Sequence, residues 1–384
     1  MSNKKRTLVF FGSGVVAEKS LKSKPAFIVD NNPDLIGGFF HGIEIKSPEV
    51  LRNRSDEFEV VICTTSVSEV KAQLKTLGFA WSKDARVSDY LEERLEIAEL
   101  EDERFEFLIS SGLPSTATDD SGGGVYKIKE ANSDYPEIEK LYSGNIHGMI
   151  KYKDGIAISS QGEGIVVLDA DYTVSSVIPL PVSSRPHGLR PFKDGWVFIS
   201  SYNDSIVGVG PHGERLFEYM FSDKKNEFSS AQHHCNDLVI VGSHAYVSMF
   251  SVTGNWKRGI YDGGLIEVNL QTGDMKIVVN NLTMPHSVDF IDGSLRILNS
   301  FKGEILTNNF ESQFILPGFV RGYEENDKYC FVGESKNRNF SRLNVGRSPV
   351  SVDSKITVIN KKVGFCRSIP LPRRISEIHS LILL

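Results

Sequence analysis

The chain is poor in cysteine, and its four thiols stand far apart. Cys63, Cys235, Cys330 and Cys366 are scattered over 384 residues. They have neither the paired spacing of a zinc site nor the density of a disulfide scaffold, so a reduced, cytoplasmic setting is expected. Long hydrophobic runs are also missing: nothing approaches the roughly 18–20 apolar residues of a membrane span. The apolar stretch Leu8–Phe11 after the basic N-terminus ends at Gly12 and is too short for a secretory leader. Positive charge is not in excess, with 43 Lys and Arg against 49 Asp and Glu and a net charge of -6. Binding to phosphate backbones requires a basic face, so nucleic acid is not an expected partner. What remains is an ordinary globular composition, 40% apolar and 24% charged, with 33 glycines and 23 phenylalanines. The length exceeds one ordinary core and suits two or three domains.

Residues 1–91 read as strands alternating with helices, which implies a parallel sheet in an α/β domain. Thr7–Gly12 is an apolar strand, Val15–Lys22 a helix, Pro25–Asp30 a second strand, and Glu59–Thr65 a buried strand before the helix Val67–Leu77. Gly12-Ser13-Gly14-Val15-Val16-Ala17 fits G-x-G-x-x-A between strand and helix. In that pattern free backbone N–H groups receive a phosphate, and Asp30, at the end of the second strand, would receive a ribose hydroxyl. Gly12, Gly14 and Asp30 are therefore candidate residues for binding a nucleotide or nucleotide-sugar. Residues 92–104, mostly acidic, read as a solvated helix or linker.

From residue 105 onward the chain repeats a plan of two apolar strands joined by a tight turn, often written Asp-Gly. His147–Ser160, His187–Ser201 and His286–Ser300 are full copies, while Asn236–Met249 and Arg321–Glu334 fit with Asn or Arg in the His position. Glu377–Leu384 resembles the first strand of another copy, and Phe105–Ser111 supplies its second strand. Units of this length belong to blades. The expectation is an all-β six-bladed propeller over 105–384, closed by strand 377–384 pairing with 105–111.

Equivalent strand starts in a propeller ring one mouth of the central channel, so His147, His187, Asn236, His286, Arg321 and His379 form the candidate site. Neutral imidazoles suit a divalent transition metal, and Asn236 can add an oxygen. This gives His147, His187, Asn236, His286 and His379 as expected ligands of a divalent metal ion. Without metal, Arg321 would hold an anionic sugar while a His serves as general acid or base. His234 lies just outside the register but within reach of the mouth; His41, His212 and His244 fall near turns. Gln161 and Glu334 are expected as partners behind the ring. The loops 253–259 and 336–342 are positioned to close over an anionic substrate.

Phe27–Gly37 followed by Phe40–Glu49 resembles the small Rossmann-like domain attached to sugar-modifying enzymes of bacterial surface-glycan pathways. Pro186-His187-Gly188-Leu189, Pro285-His286-Ser287-Val288 and Cys235-Asn236-Asp237-Leu238 resemble inner strands of gluconolactonase-like and streptogramin-lyase-like propellers. Those families imply a metal on the channel axis, although their carboxylate ligands are mostly replaced here by His. Residues 105–384 as a whole resemble an uncharacterised family of bacterial propellers. Together these imply a metal-dependent enzyme of surface-carbohydrate metabolism, performing hydrolysis, elimination or isomerisation on a small sugar-derived ligand. In that reading His147, His187, His286, His379 and Arg321 are catalytic. The alternative is a non-catalytic propeller that docks other proteins of such a pathway; assembly as a homo-oligomer is left open.

Overall fold

The computed structural model describes residues 6–113, 122–131, 135–307, 309–336 and 350–384. The chain divides into two compact units, Met1–Glu103 and Arg104–Leu384.

The first unit contains strands β1 (Thr7–Phe11), β2 (Phe27–Val29), β3 (Phe39–Phe40), β4 (Ile43–Lys46), β5 (Phe58–Ile62) and β6 (Ala85–Val87). They form one sheet in the order β3-β4-β2-β1-β5-β6. β1 runs parallel to β2 and β5, β2 to β4, and β5 to β6, whereas β3 and β4 form an antiparallel hairpin. The uninterrupted apolar character of β1 and β5 follows from burial on both faces. Val9, Phe11, Val60 and Ile62 enter one core cluster, and Phe10 and Val61 enter the other. Three helices accompany the sheet: α1 (Val15–Ser20), α2 (Val67–Thr76) and α3 (Asp89–Asp102). The acidic stretch expected as a boundary segment is thus mostly helix α3, inside the first unit. The Ser88 hydroxyl caps it by accepting from the Leu91 N–H at 3.2 Å, and Leu91 and Leu100 are buried.

The second unit is a six-bladed β-propeller, each blade a four-stranded antiparallel sheet. The first strands of blades I to VI are Ile146–Tyr152, Pro186–Phe192, Cys235–Val241, His286–Ile291, Phe319–Glu325 and Ser380–Leu383. Each touches the first strand of the next blade, and that of blade VI touches that of blade I, so these six line the channel. Blade VI is completed by Glu106–Ser111, with Ser380 opposite Ser110 and Leu383 opposite Phe107. Between blades the core is aliphatic and aromatic: Leu189, Trp196 and Phe198 of blade II pack with Ala157 and Ile165 of blade I.

The repeated Asp-Gly pairs serve two different purposes. In blade IV, Asp292 and Gly293 form the two-residue turn themselves, at φ 50° and 75°. In blades I and II the turns are Lys153-Asp154 and Lys193-Asp194, and Gly155 and Gly195 already pair within the ladder. A Cβ at Gly155 or Gly195 would run into the carbonyl of Leu168 or Val209 on the neighbouring strand. These two glycines permit close strand approach.

Candidate functional site at one end of the channel

The inner strands are irregular where the candidate residues sit. The pairing register shifts between Ile146 and Gly148, Pro186 and Leu189, Cys235 and Leu238, His286 and Asp289, and Arg321 and Tyr323. A bulge re-aims the side chain it carries. Here it occurs in five successive blades, at or beside His147, His187, Asn236, His286 and Arg321. Small residues at the bulges let the strands close in: a Cβ on Gly148 would lie 2.5 Å from the His187 carbonyl oxygen, and one on Gly188 would lie 2.8 Å from Cα of Asp237. Cross-strand bonds then lock neighbouring blades together. The Ser159 hydroxyl donates to the His187 carbonyl at 2.5 Å, the Ser287 N–H donates to Asp237 Oδ2 at 2.8 Å, and the Gly322 N–H donates to Ser287 Oγ at 2.8 Å.

The structure brings His147, His187 and His379 into direct contact. The His147 and His187 rings stack with centroids 4.4 Å apart and 11° between planes, and His379 meets His147 edge-on, also at 4.4 Å. His234 extends the cluster, 6.3 Å from His187, and is itself packed on Phe250 and Trp256. Behind the histidines lies a buried charged pair. His379 Nε2 is 3.0 Å from Glu377 Oε2, and Arg321 NH1 is 3.7 Å from the same oxygen. The Arg321 guanidinium also lies over the Phe319 ring.

His286 and Asn236 are turned differently. Nδ1 of His286 faces the Met284 carbonyl at 3.0 Å and the Ser300 hydroxyl at 2.8 Å, while its ring packs on Phe250 and Phe319. The Asn236 amide nitrogen donates to the carbonyls of Pro285 and His234. Burial pushes the pKa of both His187 and His286 well below the ordinary value. The nearby charges of His234, His379 and Arg321 act in the same direction. Both imidazoles are therefore neutral near pH 7.

This geometry does not fit a metal. An imidazole binds metal along a lone pair in its ring plane, at roughly 2.0–2.1 Å. The near-parallel planes of His147 and His187 carry those lone pairs side by side, without convergence on a common point. Nε2 of His379 faces Glu377 and Nδ1 of His286 faces Ser300, while the Asn236 amide nitrogen donates to backbone carbonyls and its oxygen is buried without a hydrogen-bond partner. Among the described residues no three His, Cys, Asp or Glu side chains gather in a metal-holding arrangement. The residues expected as metal ligands thus face other partners in this structure.

Several residues around the site carry no mark in the repeat. Glu377 lies two positions before a repeat start, and its spacing from His379 was the available signal. Gly112 packs so closely that a Cβ there would lie 2.9 Å from Nε2 of His379. Gln161 is tied to Asn145, whose amide donates to it at 2.6 Å. Glu334 is turned to Thr357 and Lys355. The loop 253–259 buries Trp256 among Phe250, Met284, Phe301 and Phe319 and so anchors the wall behind His234. Of the loop 336–342, all but Lys336 lies outside the described residues. His41 and His212 are exposed and His244 half-buried.

In the first unit, Asp30 is committed locally. Its Oδ2 accepts from the Ser13 N–H at 2.9 Å and the Ser13 hydroxyl at 2.7 Å. The carboxylate expected to receive a ribose hydroxyl thus holds the glycine turn. Gly12 has φ 105°, and a Cβ on it would lie 3.0 Å from the Cys63 carbonyl oxygen, so packing alone requires glycine there. Gly14 opens onto free space.

Fold and site together define a six-bladed propeller protein with a histidine cluster, backed by Arg and Glu, at one end of its channel. Residues 225–384 match a family described as a domain of unknown function, DUF4915. No curated protein matches the chain. A chain of the nidogen/laminin complex superposes with TM-score 0.50 at 10% identity, over 73% of this chain and 97% of that one. A protein of unknown function from Bacteroides caccae gives 0.48 at 13% identity, over 73% and 99%. Virginiamycin B lyase from Staphylococcus aureus gives 0.44 at 12% identity, over 70% and 88%. At these identities the likeness is one of fold.

Proposed function

We propose that the propeller is a metal-independent acid–base enzyme acting on a small anionic, sugar-derived substrate at the His147–His187–His379 cluster. The observation that carries this reading is the buried His379–Glu377 pair with Arg321 beside it. Glu377, accepting from Nε2, fixes the tautomer and orientation of His379. It also stabilises the imidazolium formed when the other ring nitrogen takes a proton. Arg321 supplies a buried positive charge, in a planar donor fork suited to a carboxylate. Neutral His187 offers hydrogen bonds to hydroxyl groups without adding charge, and His147 stacks on it. Proton abstraction next to a carboxylate is the step these groups support best, and it is common to elimination and isomerisation; hydrolysis of a lactone would use the same base on water.

The test is incubation with a panel of aldonates, hexuronates and their lactones in D2O, followed by NMR. The wild type is expected to exchange or convert at least one member, with EDTA having no effect. His379→Gln should reduce the rate by about 10²-fold or more. A wild-type protein inert toward the whole panel, or activity abolished by EDTA, would overturn the reading.

A further inference from the structure

A cavity of about 400 Å³ enters the channel lining and reaches His379 from the inner-strand residues beyond the bulges. Its charged wall comes from Lys151 of blade I, Arg190 of blade II, Asp237 of blade III, Asp289 of blade IV and Glu324 of blade V. Inner strands follow one another around the ring in chain order. The cations of blades I and II therefore face the carboxylates of blades IV and V across the channel.

Opposite charges on facing walls would ordinarily neutralise one another directly. Among the described residues no ion pair joins Lys151 or Arg190 to Asp289 or Glu324. Arg190 instead donates from NH1 to the carbonyl of its neighbour Leu189, and Asp289 accepts from the Phe290 N–H. Burial raises the pKa of Asp237 and Glu324, with Lys151 offsetting part of the effect at Glu324. These carboxylates stand partly desolvated with no direct cationic contact, a state relieved by a positive group placed between the walls. A molecule with an ammonium group at one end and a carboxylate at the other would satisfy both walls at once. The volume is within the usual range for a single small ligand.

We infer that this charge-split end of the channel is a binding site for a small zwitterion of the amino-acid type. The ammonium group would face Asp289 and Glu324, and the carboxylate would face Arg190 and Lys151. The cavity shares His379 with the acid–base site, but the test does not depend on that reading, because neither Arg190 nor Glu324 belongs to that machinery and the readout is binding.

The experiment is calorimetric titration of the full-length protein with L-alanine, L-serine and L-glutamate, using propionate and propylamine as single-charge controls. At least one amino acid should bind more tightly than both controls. Arg190→Gln and Glu324→Gln should each weaken that binding about tenfold, the scale of one charge-assisted contact. Lys151→Gln, at an exposed position, provides a variant with little risk to folding and should weaken it in the same sense. No binding by any of the three amino acids, controls binding as tightly as the amino acids, or unchanged affinity in folded variants would overturn the inference.

Discussion

A methyl group at Gly112 would lie 2.9 Å from Nε2 of His379, 3.0 Å from Oδ1 of Asn145 and 3.3 Å from Oε2 of Glu377. Gly112→Ala should therefore disturb the His379–Glu377 pair directly. A loss of about 1–3 kcal/mol is expected in urea unfolding, together with displaced imidazole resonances for His379; an unchanged spectrum would refute the contact. His286 makes a second residue-scale prediction. Its pKa is held below the unfolded value near 6.5 by burial and by Arg321. The unfolded chain thus binds a proton that the folded chain does not, and stability falls as pH drops below about 6.5, by up to one proton in slope. Asp204 and Asp237, with raised pKa values, act in the opposite sense at lower pH. The clean measurement is therefore the difference between wild type and His286→Gln in urea midpoint at pH 7.5 and 5.5. The deficit at the lower pH should be smaller in the variant.

At the scale of the element, the inner strand determines what the histidines can do. Their recurrence at strand starts was legible in the sequence, because the repeat marks His147, His187, Asn236, His286, Arg321 and His379 with the same position. Their orientation was not legible. Ring planes are set by bulges at Gly148, Gly188 and Gly322, and the pattern of apolar residues does not encode a bulge. Glu377 comes two positions before the repeat's marked position, so the partner of His379 is unmarked. The local contacts of Asp30 were not legible for a related reason: its distance from Gly12 suits a ribose, and nothing in that spacing shows that Ser13 supplies it with two donors. Two substitutions test the strand argument. Gly195→Ala, which drives a methyl into the Val209 carbonyl, should cost about 1–3 kcal/mol. Lys153→Gly, at a turn position with φ 54°, should be neutral or stabilising by up to about 1 kcal/mol. Urea denaturation of both variants distinguishes strand approach from turn geometry as the reason for glycine.

At the scale of the molecule, the closing blade is the mechanical weak point of the ring. Ser380–Leu383 pairs with Glu106–Ser111 across the greatest sequence separation in the propeller, and Leu381 and Ile382 are buried. Removing residues 380–384 would leave the ladder groups of Glu106, Leu108 and Ser110 unpaired at an exposed edge. Such a truncation should broaden the unfolding transition and produce self-association visible by light scattering. A monomer that unfolds as sharply as the intact chain would contradict that account.

The same strand has a consequence in time. His379 and Glu377 leave the ribosome after every other blade has been made, while His147 and His187 emerge far earlier. The stacked pair can form as soon as blades I and II dock, but it lacks its carboxylate-backed neighbour until the ring shuts. An unfinished or clipped propeller thus carries most of its histidines and none of the proposed chemistry. On the proposed reading, ring closure would separate a nascent chain without its acid–base pair from one that has it.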